Sequence, residues 1–372
     1  MKPIRVLYDE QIFLLQEYGG ISRYFTELIK AFQSDSNLGI VPLISSRAVT
    51  NEYLLGETSF LGLKRVNSNL GSNLTLLKQL LFNRINIFGA DILHATFYLP
   101  IFLGRFRGIP KVVTLYDMIP ENTDRPSKFS NPHFAKRHYM KNADLILSIS
   151  KASTSDMLRE YGMSVEIPTI YLGVGPEFVP NLPRISWLPK QYFLFVGNRS
   201  GYKDCRLAFA AFAEVCQGFP DLQLQLVGGG PLSDEEILFA KELGIHERIQ
   251  QKSVSDTDLP SVYSNTLGLV YPSRYEGFGL PLVEAMASGV PVLASQTPIN
   301  IEICEESATF FPVGEQSQLA LEMSRLLSDP LSFEGKIRAG LTRSKNFTWQ
   351  KCAERTADEY RKLLEKRARE RK

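Results

Sequence analysis

The chain alternates short apolar runs with amphipathic stretches, and it does so in two successive blocks. Ile4–Asp9, Val41–Ser45, Asp91–Ala95, Lys111–Tyr116 and Leu145–Ser150 read as strands in the first block. Helix-like stretches such as Gly20–Phe32 and Lys151–Tyr161 lie between them. Near-continuous apolar strands separated by helices need both sheet faces covered, which is the pattern of a parallel sheet built from βαβ units. After a proline-rich connector, Pro176–Pro189, the rhythm restarts. Strands are expected at Tyr192–Val196, Leu222–Val227, Leu267–Tyr271 and Val292–Ser295. Helices are expected at Lys203–Gln217, Asp234–Leu243, Leu282–Ser288 and Glu315–Leu327. A chain of 372 residues is long for one core and suits two. The expected architecture is α/β, with two doubly wound Rossmann-like domains at 1–178 and 190–347, facing a cleft, and a last helix over 348–372 with its own register.

Composition narrows the function classes. Apolar residues make up 44% and charged residues 22%, as in a globular domain, and the net charge of +2 is too small for a nucleic-acid binder. The tail Arg361–Lys372 carries seven basic and two acidic residues. It reads as a solvated helix end, with peripheral attraction to an anionic membrane as the sharper alternative. Cys205, Cys216, Cys304 and Cys352 form no Cys-x-x-Cys pair, so neither a disulfide framework nor a thiolate metal site is expected. The strand at Ile4–Asp9 follows the first residues without a signal-peptide pattern, and no window of 18 uncharged apolar residues occurs. These features set the expectation of a cytoplasmic protein, at most peripheral to the membrane. The segment Phe97–Phe106 is apolar but broken by Pro100 and reads as core or cleft wall.

In doubly wound folds ligands meet the carboxyl ends of strands. Those ends offer Asp9, His94, Asp117 and Ser150 in the first block and Gly197, Gly228 and the loop Pro272–Pro281 in the second. The densest signal is YPSRYEGFGLPLVEAMASGVPVLAS, Tyr271–Ser295. A strand ends at Tyr271; a loop with Gly277 and Gly279 follows, whose backbone can approach a ligand closely. Pro281 suits a helix start, Glu284 is expected in the first helical turn, and Gly289 with Pro291 ends the helix. A helix N-terminus preceded by glycines is a phosphate cradle. Glu276 and Glu284 flank it; carboxylates repel phosphate but accept hydrogen bonds from hydroxyl pairs. A ligand with hydroxyls on both sides of a diphosphate, such as a nucleotide sugar, fits both requirements. The plainer alternative is that Glu284 complements the helix dipole and Glu276 is a loop charge.

With these residues the chain resembles the retaining family-4 glycosyltransferases of the GT-B fold, whose mark is a Glu, seven intervening residues and a second Glu in a context like EGFGLPLVEAMASGVPV. The resemblance spans essentially the whole chain and is nearest to bacterial mannosyltransferases of surface-polysaccharide assembly. It implies that Glu276 faces the transferred sugar, that Glu284 holds the ribose, and that backbone amides of Gly277, Phe278, Gly279 and Leu280 meet the sugar and diphosphate. It also implies that the last helix crosses back to the first domain.

Other segments take their roles from the same resemblance. VGNRSGYKD, Val196–Asp204, brings Arg199 and Lys203 to the leaving diphosphate, where cations lower the barrier to breaking the glycosidic bond. Relatives carry adjacent Arg and Lys here; this chain has Tyr202 before Lys203, so Lys203 carries over directly and Arg199 is a substitute at a shifted position, with a solvated loop charge as the alternative. In EYGGISRYFTEL, Gly19 and Gly20 precede a helix near the donor, and Arg23 adds charge on the acceptor side. In TLYDMIPE, many relatives carry His where this chain has Tyr116; Tyr116 and Asp117 are expected among the catalytic residues, with Asp117 as a turn cap the alternative. His94 is a further acceptor-side candidate against a structural role, and Ser148 and Ser150 are structural by default. Val254 in KSVSDTDLP and Gly228 in VGGG are expected beside the nucleobase.

No G-x-G-x-x-G, no P-loop, no Asp-x-Asp at a strand end and no His/Cys cluster with metal spacing occurs. The expected activity is therefore metal-independent, cofactor-free transfer of a hexose from a nucleotide-sugar donor, GDP-mannose or a UDP-sugar, to a saccharide or lipid-linked acceptor. An NAD-dependent oxidoreductase lacks its fingerprint. A nucleotide-sugar epimerase and a non-catalytic nucleotide-sugar binder of the same fold are the remaining alternatives.

Overall fold

The computed structural model describes residues 2–45, 48–56, 64–65, 89–99, 108–123, 133–199 and 201–371. Most of Phe97–Phe106 and Ser200 lie outside them. The chain forms two compact units, residues 1–172 together with 349–372, and residues 173–348.

The first unit carries a parallel sheet of β1 (Ile4–Tyr8), β2 (Ile40–Ile44), β3 (Ile92–Ala95), β4 (Lys111–Leu115) and β5 (Leu145–Ser148), in spatial order β2-β1-β3-β4-β5. Val6, Leu7, Ile92, Leu93, Val112 and Val113 are buried along β1, β3 and β4, the central strands, while β2 and β5 form the edges. Helix α1 (Gly20–Ser34) buries Tyr24, Phe25, Leu28, Ile29 and Phe32, the i, i+4 stripe of an amphipathic helix. Helix α2 (Lys151–Tyr161) starts under a cap in which Ser150 accepts from the Ser153 N–H, and Gly162 ends it in the left-handed conformation.

The second unit has a parallel sheet of β6 (Gln191–Val196), β7 (Leu222–Val227), β8 (Ile249–Lys252), β9 (Gly268–Tyr271), β10 (Val292–Ser295) and β11 (Thr309–Phe311), in order β8-β7-β6-β9-β10-β11. This is the doubly wound order with its reversal between β6 and β9. Its core joins Phe193, Phe195, Leu224, Leu226, Val270 and Leu293 of the sheet to helix α3 (Cys205–Val215) and to Leu319, Met323 and Leu326. Helix α4 (Asp234–Glu242) begins with a capping box between Ser233 and Glu236. Helix α5 (Leu280–Ala287) is capped by Gly279, and Gly289 beyond its end has a φ of 68°.

Three differences from the sequence reading matter. The edge strands β8 and β11 were not expected, because Ile-Gln-Gln-Lys is mostly polar and Thr-Phe-Phe is only three residues long. Helix α5 starts at Leu280, which moves Glu284 out of the first turn, so it is no partner of the helix dipole. The connector packs onto the second unit: Leu182 N–H donates to Ser264 and Ser261 donates to the Pro183 carbonyl. The last helix, α6 (Trp349–Glu370), belongs to the first unit, the side the resemblance implies, and there the Tyr360 and Tyr8 hydroxyls share a hydrogen bond at 3.0 Å. All four cysteines are buried and unpaired. Among the described residues no helix is long and apolar enough to cross a membrane.

Candidate active site

At the reversal of the second sheet, the loops leaving β6 and β9 meet. The β6 loop brings Lys203 and the β9 loop brings Glu276, whose carboxylate accepts from the Lys203 ammonium at 2.5 Å. The side chains are 13% and 8% exposed, so the pair is nearly dehydrated. Lys203 also reaches the Tyr271 hydroxyl at 3.5 Å and lies over the Tyr271 ring. Burial, with Glu276 beside it, pushes the Tyr271 phenol well above its ordinary range. Two further contacts tie the loops together: the Arg274 N–H donates to the Tyr202 carbonyl, and the Arg274 guanidinium donates to Asp204 at 2.7 Å. Asp204, at a φ of 50°, therefore uses its side chain on Arg274 rather than on capping α3.

The β9 loop enters α5 through Gly279 at a φ of 90°, a conformation that favours glycine. A Cβ there would lie 2.9 Å from Leu282 Cδ1. Phe278 is buried with its ring edge-on to Phe347, so the side chain is part of the core and only backbone is left for a ligand. Gly277 is half-buried and Leu280 opens the helix. One turn on, Glu284 is 4% exposed and accepts from the Tyr263 hydroxyl at 2.7 Å. A carboxylate held this far from water, behind a glycine-led helix start, has hydrogen-bonding capacity that is not a solvated surface charge.

The β7 and β8 ends complete the row. Gly228 follows β7, and half-buried Val254 follows β8. Arg199 departs from its expected role. Its guanidinium donates to Glu236 at 2.8 Å and to the carbonyls of Gly228 and Pro231, each at 2.7 Å. It is a fastener of the β7 loop in this arrangement, not a cation offered to a phosphate.

The first-unit candidates divide. Gly19 is extended and half-buried, Gly20 opens α1, and the half-buried Arg23 follows in its first turn. Asp117 is partly exposed; its Oδ1 accepts from the Ile119 N–H at 3.1 Å, a turn cap. The Lys136 ammonium donates to the Asp117 carbonyl and to Glu121, both at 2.8 Å, and the Tyr161 hydroxyl donates to the other Glu121 oxygen. Tyr116 is buried and donates to the Thr96 carbonyl at 2.8 Å, with burial pushing its phenol well up. His94 is corrected from acceptor-side candidate to core residue. It is fully buried, with Nδ1 bonded to the Tyr360 hydroxyl and Nε2 to Thr114. Burial lowers its pKa to about 3, so the ring is neutral. Ser148 donates to the Ser150 carbonyl and serves the strand end.

Sequence reasoning passed over Tyr263, Tyr271, Glu236, Glu121 and Lys136. Only topology brings Tyr263 and Glu236 to their partners, 21 and 37 residues away. Lys136, 1% exposed, gave no sign of burial because a lysine is ordinarily a surface residue. Among the described residues no three His, Cys, Asp or Glu side chains cluster as a metal site would require.

Two family models match the chain, Glycosyltransferase Family 4 over residues 18–178 and Glycosyl transferases group 1 over residues 186–342. An O-antigen chain mannosyltransferase B of Escherichia coli is 28% identical over 60% of this chain and 62% of its own length. An MMP alpha-(1->4)-mannosyltransferase of Mycolicibacterium hassiacum is 30% identical over 59% of this chain and 54% of its own. The matched region thus spans less than two thirds of these two relatives. Among solved structures, sucrose-phosphate synthase from Thermosynechococcus elongatus has a TM-score of 0.73 at 19% identity, covering 97% of this chain and 99% of that one. Anabaena Alr3699/HepE, crystallised with UDP and glucose, has a TM-score of 0.72 at 18% identity, covering 96% and 100%. At such identities the structural likeness concerns the fold.

Proposed function

The chain belongs to the family-4 glycosyltransferases of the GT-B fold, and on that premise we propose that it moves a hexose, mannose first among the candidates, from a nucleotide diphosphate donor held by the second unit. The observation that carries the reading is the Lys203–Glu276 pair at the sheet reversal, followed by a glycine-led helix and a buried Glu284. Lys203 neutralises charge on the departing diphosphate, where electrostatic stabilisation has most effect on the barrier. Glu276 accepts from hydroxyls of the sugar, and the Lys203 contact keeps that carboxylate fixed. The Gly277–Leu280 backbone faces the sugar and phosphates, and Glu284 accepts from the ribose. Gly228 and Val254 border the base.

In this reading transfer proceeds with retention and without metal. No carboxylate is assigned as nucleophile; the departing phosphate takes the acceptor's proton on the face it leaves. The acceptor, a saccharide or lipid-linked saccharide, is assigned to the first unit, with Arg23 and Asp117 as the groups to probe, and Gly19 and Gly20 are assigned to the donor. The mannosyl preference draws on the two mannosyltransferase relatives; the UDP in the HepE crystal keeps a UDP-sugar as rival.

A non-catalytic nucleotide-sugar binder is the second reading, favoured by the engaged hydroxyl of Tyr116 where relatives often carry His. Radiolabelled GDP-mannose and UDP-hexoses, incubated with and without saccharide acceptors, separate the two. The proposal expects sugar release or transfer that survives EDTA and falls by two or more orders of magnitude in Glu276→Ala. Binding without turnover favours the second reading; loss of activity in EDTA overturns metal independence; an unaffected Glu276→Ala overturns the site. The anomeric configuration of the product, read by NMR, tests retention.

A further inference from the structure

We propose that Arg199 is a positioning residue for the donor site, setting the course of the loop Gly228–Pro231 with Glu236 as its counter-charge. The inference rests on the nucleotide-sugar reading above. Gly228, Gly229 and Gly230 have φ values of 88°, 71° and 73°, three consecutive left-handed residues. Glycine adopts that course without strain but also fixes it weakly, since no side chain packs to hold it. The guanidinium supplies what the glycines lack. Nη1 donates to the Gly228 carbonyl at 2.7 Å; Nη2 donates to the Pro231 carbonyl at 2.7 Å and lies 3.4 Å from that of Gly229. A lysine could not reach three carbonyls and a carboxylate from one planar fork.

The trans peptide then decides what the loop presents. With no cis bonds in the described chain, each N–H points opposite to the carbonyl of its own peptide unit. Carbonyls 228, 229 and 231 turned to Arg199 send the N–H groups of Gly229, Gly230 and Leu232 away from it. The loop follows β7, next to β6 in the sheet, so this donor surface lies in the row of strand ends that carries Lys203.

Glu236 locks the arrangement from behind. Its carboxylate takes the Arg199 Nε at 2.8 Å and the Ser233 N–H at 2.8 Å. Burial alone would raise its pKa, but the hydrogen bonds from Arg199 and Ser233 outweigh that and hold it below the ordinary value. The Arg199 side chain is 4% exposed, which leaves it out of a phosphate's reach without unpacking.

A direct phosphate ligand and a positioning residue give opposite results when Glu236 is changed. Glu236→Gln keeps the capping box, which accepts Gln, and removes one negative charge near the site. The test is calorimetric titration of UDP and GDP into wild type, Glu236→Gln, Arg199→Lys, the double variant and Lys203→Ala, at several salt concentrations and well below each melting temperature. Positioning predicts about tenfold weaker binding in Glu236→Gln and in Arg199→Lys, a double variant no worse than either, and an unchanged salt slope. Lys203→Ala should weaken binding and flatten the salt slope. The inference is overturned if Glu236→Gln binds as well as or better than wild type, if Arg199→Lys binds normally, or if melting temperatures fall while affinities hold. Wild type binding neither UDP nor GDP would overturn the donor reading itself, and the inference with it.

Discussion

Replacing Lys203 by Met removes the ammonium from a carboxylate that stays nearly dehydrated. A solvent-exposed ion pair contributes about 0–1 kcal/mol, whereas removing one partner of a fully buried pair costs about 3–5 kcal/mol. The Lys203 and Glu276 side chains are 13% and 8% exposed, between these limits and nearer the second. We therefore expect Lys203→Met to cost about 2 kcal/mol without any ligand. For a body the size of the second unit, each kcal/mol moves Tm by about 2–4 °C, so the fall should be about 4–8 °C. Most of that cost is the stranded carboxylate, so adding Glu276→Gln should restore at least half of it. Differential scanning calorimetry of wild type, both single variants and the double variant, free of nucleotide, measures this. A Lys203→Met protein that melts with wild type, or a double variant whose loss is the sum of the singles, would refute the reasoning.

Other perturbations test separate parts of the structure. His94, with a folded pKa of about 3 below the ordinary 6.5, makes stability fall as pH drops from about 6.5 toward 3, because the unfolded chain takes up the extra proton. Asp9, raised to about 6 chiefly by burial, acts in reverse: its contribution is full below about 3.8 and is lost as pH rises through 6. The two offset each other between about pH 4 and 6, so His94→Gln should convert a flat urea-midpoint profile there into one that falls with rising pH. Gly279→Ala, forced to hold a φ of 90°, should cost about 1 kcal/mol or more by urea denaturation and weaken nucleotide binding. Tyr263→Phe withdraws a hydroxyl from the buried Glu284 and should lower stability by about 1–2 kcal/mol and reduce GDP or UDP affinity by titration.

The sheets were legible because their central strands are short runs, mostly apolar or alternating, set between helical stretches; Leu222–Val227 and Val292–Ser295 match residue for residue. The edge strand Ile249–Lys252 was not, since an edge needs no apolar face on both sides and its residues are only half-buried. The glycine loop and the two glutamates were visible as a local pattern, and their neighbours were not. Tyr263, which donates to Glu284, and Glu236, which takes Arg199 out of solvent, lie far off in sequence. A charged residue in a loop reads as available to a ligand until its partners are known, which is why Arg199 was expected at the diphosphate and not on Glu236. His94 ended a strand, as a ligand-facing residue would; Tyr360, 266 residues later, is what closes it into the core.

In the proposed function a nucleotide sugar is held by residues 271–289 together with the β6 and β7 loops. Hydrogen exchange with and without saturating GDP, UDP and their sugars tests it most directly. Exchange should slow in peptides covering 276–284, 196–203 and 228–232 for whichever nucleotide binds. Binding that leaves these peptides unchanged, or protects others instead, would contradict it.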